Sequence, residues 1–143
     1  MSIIPKAIDG VESLAGDDAL DEFLSHANVL ICLLPLTPAT RGILNAGTFE
    51  KLPAGAYVIN VARGAHLIED DLLAALNSGH LSGACLDVFQ TEPLPEDHPF
   101  WSHPKIFITP HISSITDPLS VMPQILENYR RMKTGKSLKH VVD

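Results

Sequence analysis

Basic residues are scarce in this sequence: 10 lysines and arginines stand against 17 aspartates and glutamates, a formal net charge of −7 over 143 residues. No cluster of lysine or arginine offsets that balance. A nucleic-acid groove or an anionic membrane surface recruits positive charge, so both are excluded as general partners. A small anionic substrate is not, because one arginine in a cleft outweighs distant surface charge. Cysteine is nearly absent too, with Cys32 and Cys85 alone, each inside an apolar run and neither in a CxxC pair. That excludes a disulfide scaffold, a zinc site or a redox motif and points to buried reduced thiols. No apolar stretch is long enough to span a bilayer. Residues 1–6 lack the basic head, apolar core and small-residue cut site of a secretory signal. The expectation is a cytoplasmic globular protein with no bound metal. A hydrophobic fraction of 45% and a charged fraction of 19% are enough for a packed core and argue against disorder.

Four short apolar runs cover residues 29–34, 57–62, 84–89 and 106–109. None alternates for long, so they predict strands covered on both faces, as in parallel sheets. Helical patterns lie between them. Residues 17–27 place Leu20, Phe23, Leu24 and Ala27 on one face. Residues 68–78 carry acidic side chains in the first turn and Gly79 as a stop. Residues 48–52 make a single turn before Pro53. A last helix is expected over about 118–133, with Asp117-Pro118 as cap and first residue and Pro123 as a kink. The tail from 135 has no clear element. This alternation predicts an α/β chain with a right-handed, mostly parallel sheet and flanking helices.

Open sheets of this kind bind ligands at the carboxyl ends of their strands, where several chemically able residues fall. Arg63 follows the second run and precedes Gly64; it can fork onto a carboxylate. By itself the pattern fits a surface arginine beside a turn glycine better. Asp87 ends the third run, either as a turn cap or as a ligand for a carboxamide or hydroxyl. Glu92 and His111 follow the third and fourth runs. A histidine near a carboxylate is a proton donor, and ketone reduction needs a substrate grip, a hydride source and a proton for the developing alkoxide. The other histidines, His26, His66, His80, His98, His103 and His140, read as surface or loop residues.

Taken together, the motifs are specific. Val58-Ile59-Asn60-Val61-Ala62-Arg63-Gly64 continues through Glu69-Asp70-Asp71-Leu72-Leu73, Gly79, Gly83-Ala84 and Leu86-Asp87-Val88. Leu34-Pro35-Leu36-Thr37-Pro38-Ala39-Thr40 precedes this block. Phe89-Gln90-Thr91-Glu92-Pro93-Leu94-Pro95 and Ile108-Thr109-Pro110-His111-Ile112 come after it. In this order the blocks resemble the D-isomer-specific 2-hydroxyacid dehydrogenase family. The segments 10–16 and 63–67 are most similar to its bacterial glyoxylate/hydroxypyruvate reductase A group. The resemblance implies an NAD(P)-dependent reductase of 2-oxo acids. Arg63 would bind the substrate carboxylate and carbonyl, His111 would be the general acid in reduction and base in oxidation, and Glu92 would back His111. Asp87 would hold the nicotinamide end, with Val61, Ala62, Ser113 and Ser114. Pro35, Thr37 and Thr40 would line the cofactor's path. NADPH is favoured over NADH by the subgroup.

The Gly-rich G-x-G-x-x-G turn of dinucleotide folds is absent. The expected fold is therefore an incomplete Rossmann-type sheet, holding the nicotinamide side of the cofactor better than the pyrophosphate. Lys6 is the one candidate for a 2′-phosphate, since Ile3-Ile4 stand where related NADPH users have Arg-Ser. The expected organisation is the C-terminal part of an NAD(P)-binding domain over 1–117, then a helix and tail over 118–143 that would return to a substrate-binding lobe. Self-association as a homodimer or larger species is expected through an open sheet edge. The alternative is a non-catalytic, truncated remnant that acts at most as a binding or interaction module.

Overall fold

The computed structural model describes residues 9–114 and 117–141. The chain divides into two units, residues 1–113 and 114–143. The first contains one sheet of four parallel strands, β1 (Val29–Cys32), β2 (Ala56–Asn60), β3 (Leu81–Leu86) and β4 (Ile106–Ile108), in the order β1-β2-β3-β4. Helix α1 (Leu20–His26) precedes β1, with a 3-10 turn at Asp17–Ala19 before it. Helix α2 (Ala46–Lys51) lies between β1 and β2, and α3 (Glu69–Asn77) between β2 and β3. α2 is longer than the single turn expected because Asn45 caps it: its Oδ1 accepts from the Thr48 amide at 3.1 Å. Glu69, Asp70 and Asp71 in the first turn of α3 complement its dipole.

In register, Leu30, Val58, Ala84 and Ile106 form one cross-strand row, and Cys32, Asn60, Leu86 and Ile108 the next. These rows belong to one face. Its apolar members pack with Leu24 of α1, Phe49 of α2 and Leu72 and Leu76 of α3 into a single core. The intervening row, Ile31, Ile59, Cys85 and Phe107, lies on the other face. There Ile31 is 51% and Phe107 62% exposed. The expectation of strands covered on both faces is thus corrected: among the described residues the helices of this unit cover one face. An unbroken apolar run does not reveal this, because side chains alternate between faces whatever their chemistry.

β3 also begins earlier than its apolar run, at Leu81. Ser82 and Gly83 interrupt the run for local reasons. The Ser82 hydroxyl donates to the Ala56 carbonyl at 3.2 Å, and a Cβ at Gly83 would meet Tyr57 Cε2 at 2.5 Å. One histidine expected at the surface is in the core: His66 is 0% exposed.

The second unit is helix α4 (Pro118–Lys133), running through Pro123. Asp117 caps it, accepting from the Leu119 and Ser120 amides at 3.1 Å each. Its tail folds back locally, since Asn128 donates to the Lys139 carbonyl and accepts from the Lys139 amide. No side chain of α4 is buried. No helix among the described residues is long and apolar enough to cross a membrane.

Candidate active site

Because all four strands run the same way, the segments after their carboxyl ends gather along one edge of the sheet. After β1 comes a tight turn over residues 35–40. The Thr40 hydroxyl donates to the Pro35 carbonyl at 2.7 Å, and the Thr37 and Thr40 hydroxyls lie 3.1 Å apart. After β2, the fully buried Asn60 folds its side chain over the next turn. It accepts from the Ala62 amide at 3.2 Å and donates to the Arg63 carbonyl at 3.1 Å. Arg63 is exposed, with Nη1 donating to the Ala62 carbonyl at 2.6 Å. Val61 and Ala62 line this turn with their backbone, and Ala62 is buried.

The segments after β2 and β3 are in direct backbone contact at Gly64. A Cβ on Gly64 would stand 1.9 Å from the Phe89 carbonyl carbon and 2.4 Å from the Gln90 nitrogen. Gln90 reinforces the contact by donating to the Leu67 carbonyl at 2.9 Å. The Phe89 amide then donates to Glu92 Oε1 at 2.9 Å, leaving Oε2 to meet His111 Nδ1 at 2.8 Å. The hydrogen bond from His111, then the one from Phe89, hold the Glu92 carboxyl below the usual carboxylate range against a smaller opposing effect of burial; the Arg63 charge adds a weaker pull. An ionised carboxylate only accepts, so His111 Nδ1 carries a proton and Nε2 is the atom left for exchange. His111 sits in the left-handed region at φ 54°, a sparsely populated conformation for a residue with a side chain.

Asp87 holds that conformation from below. It is 1% exposed and binds the segment after β4 with both oxygens. Oδ1 accepts from the Thr109 hydroxyl at 2.5 Å and the Ile112 amide at 2.9 Å. Oδ2 accepts from the Ser113 amide at 3.0 Å and the Ser113 hydroxyl. Burial pushes the Asp87 carboxyl up, but these four donors outweigh it and leave the group far below its ordinary value. The stability contributed by an acid depressed in this way is fully present above its unfolded value, about 3.9, and drains away as pH falls toward the folded value. Asp87→Asn must turn its NH2 group either toward Ser113 or toward Thr109 and Ile112, and on each side it meets a backbone N–H. We expect it to cost about 2–4 kcal/mol at pH 7, with the gap from wild type closing below about pH 4. Urea melts at pH 7 and pH 3 check this; an equal gap at both would show that the charge is irrelevant.

Beside the His111–Glu92 pair lies a cavity of about 610 Å³, lined by Phe89, Pro93, Leu94, Trp101, Ile108 and Pro110 as well as the pair itself. Sequence reasoning did not assign Leu94 or Trp101 to the site. Trp101, the sole tryptophan, donates from Nε1 to the Pro95 carbonyl at 2.8 Å and so belongs to the segment after β3. The structure brings Arg63, Glu92 and His111 to one edge, together with Asp87 and Ser113. Ser114 begins the second unit, and Lys6 lies outside the described residues.

Comparison with known proteins gives a consistent picture. Residues 5–113 match the NAD binding domain of D-isomer specific 2-hydroxyacid dehydrogenases. The chain is 55% identical over 139 residues to the glyoxylate/hydroxypyruvate reductase A of Photorhabdus laumondii, covering 97% of this chain and 44% of that protein. It thus spans less than half the length of the curated relative it matches. Its fold is similar to that of a D-isomer specific 2-hydroxyacid dehydrogenase from Xanthobacter autotrophicus Py2 in complex with NADPH and MES. The TM-score is 0.92 at 46% identity, over 98% of this chain and 58% of that one. It is also similar to an NADPH-dependent glyoxylate/hydroxypyruvate reductase from Sinorhizobium meliloti in complex with NADP and sulfate. There the TM-score is 0.89 at 40% identity, over 96% of this chain and 45% of that one.

Proposed function

The chain belongs to the D-isomer specific 2-hydroxyacid dehydrogenase family, and from that premise we propose that the whole protein reduces a small 2-oxo acid, glyoxylate or hydroxypyruvate, to its 2-hydroxy acid. The observation that carries this reading is the 2.8 Å contact between His111 Nδ1 and Glu92 Oε2 at the strand-end edge that also presents Arg63. Arg63 grips the substrate carboxylate with its guanidinium fork. His111 gives its Nε2 proton to the carbonyl oxygen in reduction and takes it back in oxidation, while ionised Glu92 steadies the imidazole in both directions.

The residues present fit a nicotinamide coenzyme, which supplies the hydride when bound. The hydroxyls of Thr37 and Thr40, the Pro35 carbonyl and the backbone of Val61 and Ala62 offer an uncharged path along the sheet edge. Asp87 and Ser113 serve the carboxamide end. The Ser113 hydroxyl is the one donor on Asp87 Oδ2 that a carboxamide N–H can replace without moving backbone. NADPH is preferred, on the strength of the NADPH and NADP complexes of similar structures. The first unit, with the short segment up to residue 117, serves the cofactor. The segment 118–143, which carries helix α4, serves a substrate-binding lobe. The two free thiols, Cys32 and Cys85, support a reducing, cytoplasmic setting. Consumption of NADPH by the whole protein with glyoxylate or hydroxypyruvate tests the reading. No turnover with either, under either coenzyme, would reject it.

The open sheet face bears on assembly. Val29, Ile31 and Phe107 are each more than half exposed on it, a patch that association covers. We expect this chain to sediment as a dimer or larger species. A monomer by light scattering at high concentration would count against self-association.

A further inference from the structure

We propose that His66 is a positioning residue that ties the substrate grip to the cofactor-side turn. Its ring is fully buried. Nδ1 lies 3.1 Å from the Arg63 carbonyl oxygen and Nε2 lies 3.4 Å from the Pro35 carbonyl oxygen. Carbonyls only accept, so whichever nitrogen carries the ring proton meets an acceptor: a neutral ring donates to one carbonyl at a time and packs against the other. The two carbonyls belong to segments 28 residues apart in sequence, one leaving β2 and one leaving β1. The backbone around His66 is itself pinned. Its amide donates to the Arg63 carbonyl at 3.1 Å, and its carbonyl accepts from the Leu44 amide at 2.9 Å. The Pro35 carbonyl also receives the Thr40 hydroxyl, so the imidazole reaches the same oxygen that closes the 35–40 turn. A rigid, fully buried ring lodged between the two carbonyls fixes the spacing between the two segments.

This inference rests on the roles given above to Arg63 and to the 35–40 turn, and its test separates the two readings. Asparagine places an amide nitrogen near the position of Nδ1, and glutamine places one near Nε2, so each variant keeps one arm of the bridge. His66→Phe keeps the ring and loses both arms. In the whole protein His66→Phe is expected to raise KM for the 2-oxo acid and for NADPH, each about tenfold, with kcat changed far less. His66→Asn should recover the substrate KM alone, and His66→Gln the coenzyme KM alone. A purely structural histidine would lower the melting temperature while leaving both KM values within about twofold of wild type, and that result overturns the proposal. A second readout needs no activity. In this chain, the carbonyl carbon resonances of Arg63 and Pro35 should both shift in His66→Phe. The Arg63 signal should return in His66→Asn and the Pro35 signal in His66→Gln. If neither carbonyl responds to His66→Phe, the bridge does not exist. Absence of turnover in the wild-type protein would strike the functional reading, while the carbonyl resonances still decide the bridge.

Discussion

Replacing Gly64 by alanine is expected to lower the melting temperature of this chain by about 10–15 °C, the equivalent of about 4 kcal/mol. The reason is steric. The added methyl carbon would sit 1.9 Å from the Phe89 carbonyl carbon, 2.0 Å from its oxygen and 2.4 Å from the Gln90 nitrogen. All three are backbone atoms, so no rotamer change relieves the overlap. To reach ordinary contact the segment after β2 must part from the segment after β3 by more than 1 Å. That costs the Gln90–Leu67 hydrogen bond and moves Arg63 relative to Glu92. Overpacking of a side-chain core costs about 1–3 kcal/mol, and a backbone clash belongs at or above the top of that range. Gly79→Ala provides the control. Gly79 has φ 81° and nothing within 4 Å of an added Cβ, so only backbone strain of about 1 kcal/mol is added there. Thermal melts of the two variants side by side decide the matter. Equal, small shifts would show that the Gly64 contact is looser than described.

The order of strands and helices was readable from the apolar runs at 29–34, 57–62 and 106–109, because each strand is short, apolar and bounded by turn residues. Which face the helices cover was not. Val29, Leu30, Ile31 and Cys32 are all apolar, yet only Leu30 and Cys32 are buried. The early start of β3 was hidden by Ser82 and Gly83, whose reasons are contacts with Ala56 and Tyr57 on the neighbouring strand. Asn45 ahead of Thr48 was a usable capping signal for α2. In the site, Arg63, Glu92 and His111 stand just beyond the carboxyl ends of apolar runs, which made them legible, and the parallel topology carries all three to one edge. The network around Asp87 was out of reach of local reasoning. Its donors Thr109, Ile112 and Ser113 lie 22 to 26 residues away in sequence. His66 failed for the same reason: a polar residue in a 3-10 turn looks exposed until its remote acceptor at Pro35 is placed over it.

In the whole protein, His111→Ala is expected to cut the reductive turnover by about 10²–10⁴ while leaving the substrate KM within a few-fold of wild type. In the proposed mechanism His111 gives the proton to the alkoxide, since Glu92 Oε2 occupies Nδ1 at 2.8 Å and leaves Nε2 for exchange. Arg63→Ala should divide its effect differently. In the proposed role the guanidinium meets a carboxylate that carries its charge before and after hydride transfer, so its loss should fall first on binding and raise KM. Glu92→Gln stands between them. Glu92 Oε1 accepts from the Phe89 amide and Oε2 from His111, so a glutamine must turn its NH2 group against one of these two donors. Either choice costs the imidazole its orientation, through the ring directly or through the loop that presents it. The loss should therefore appear in kcat, smaller than that of His111→Ala, with KM for the 2-oxo acid little changed. Steady-state kinetics of the three variants distinguish these roles. A His111→Ala enzyme within tenfold of wild-type kcat would remove His111 from the chemistry. A Glu92→Gln enzyme indistinguishable from wild type would leave the His111–Glu92 contact without a catalytic purpose.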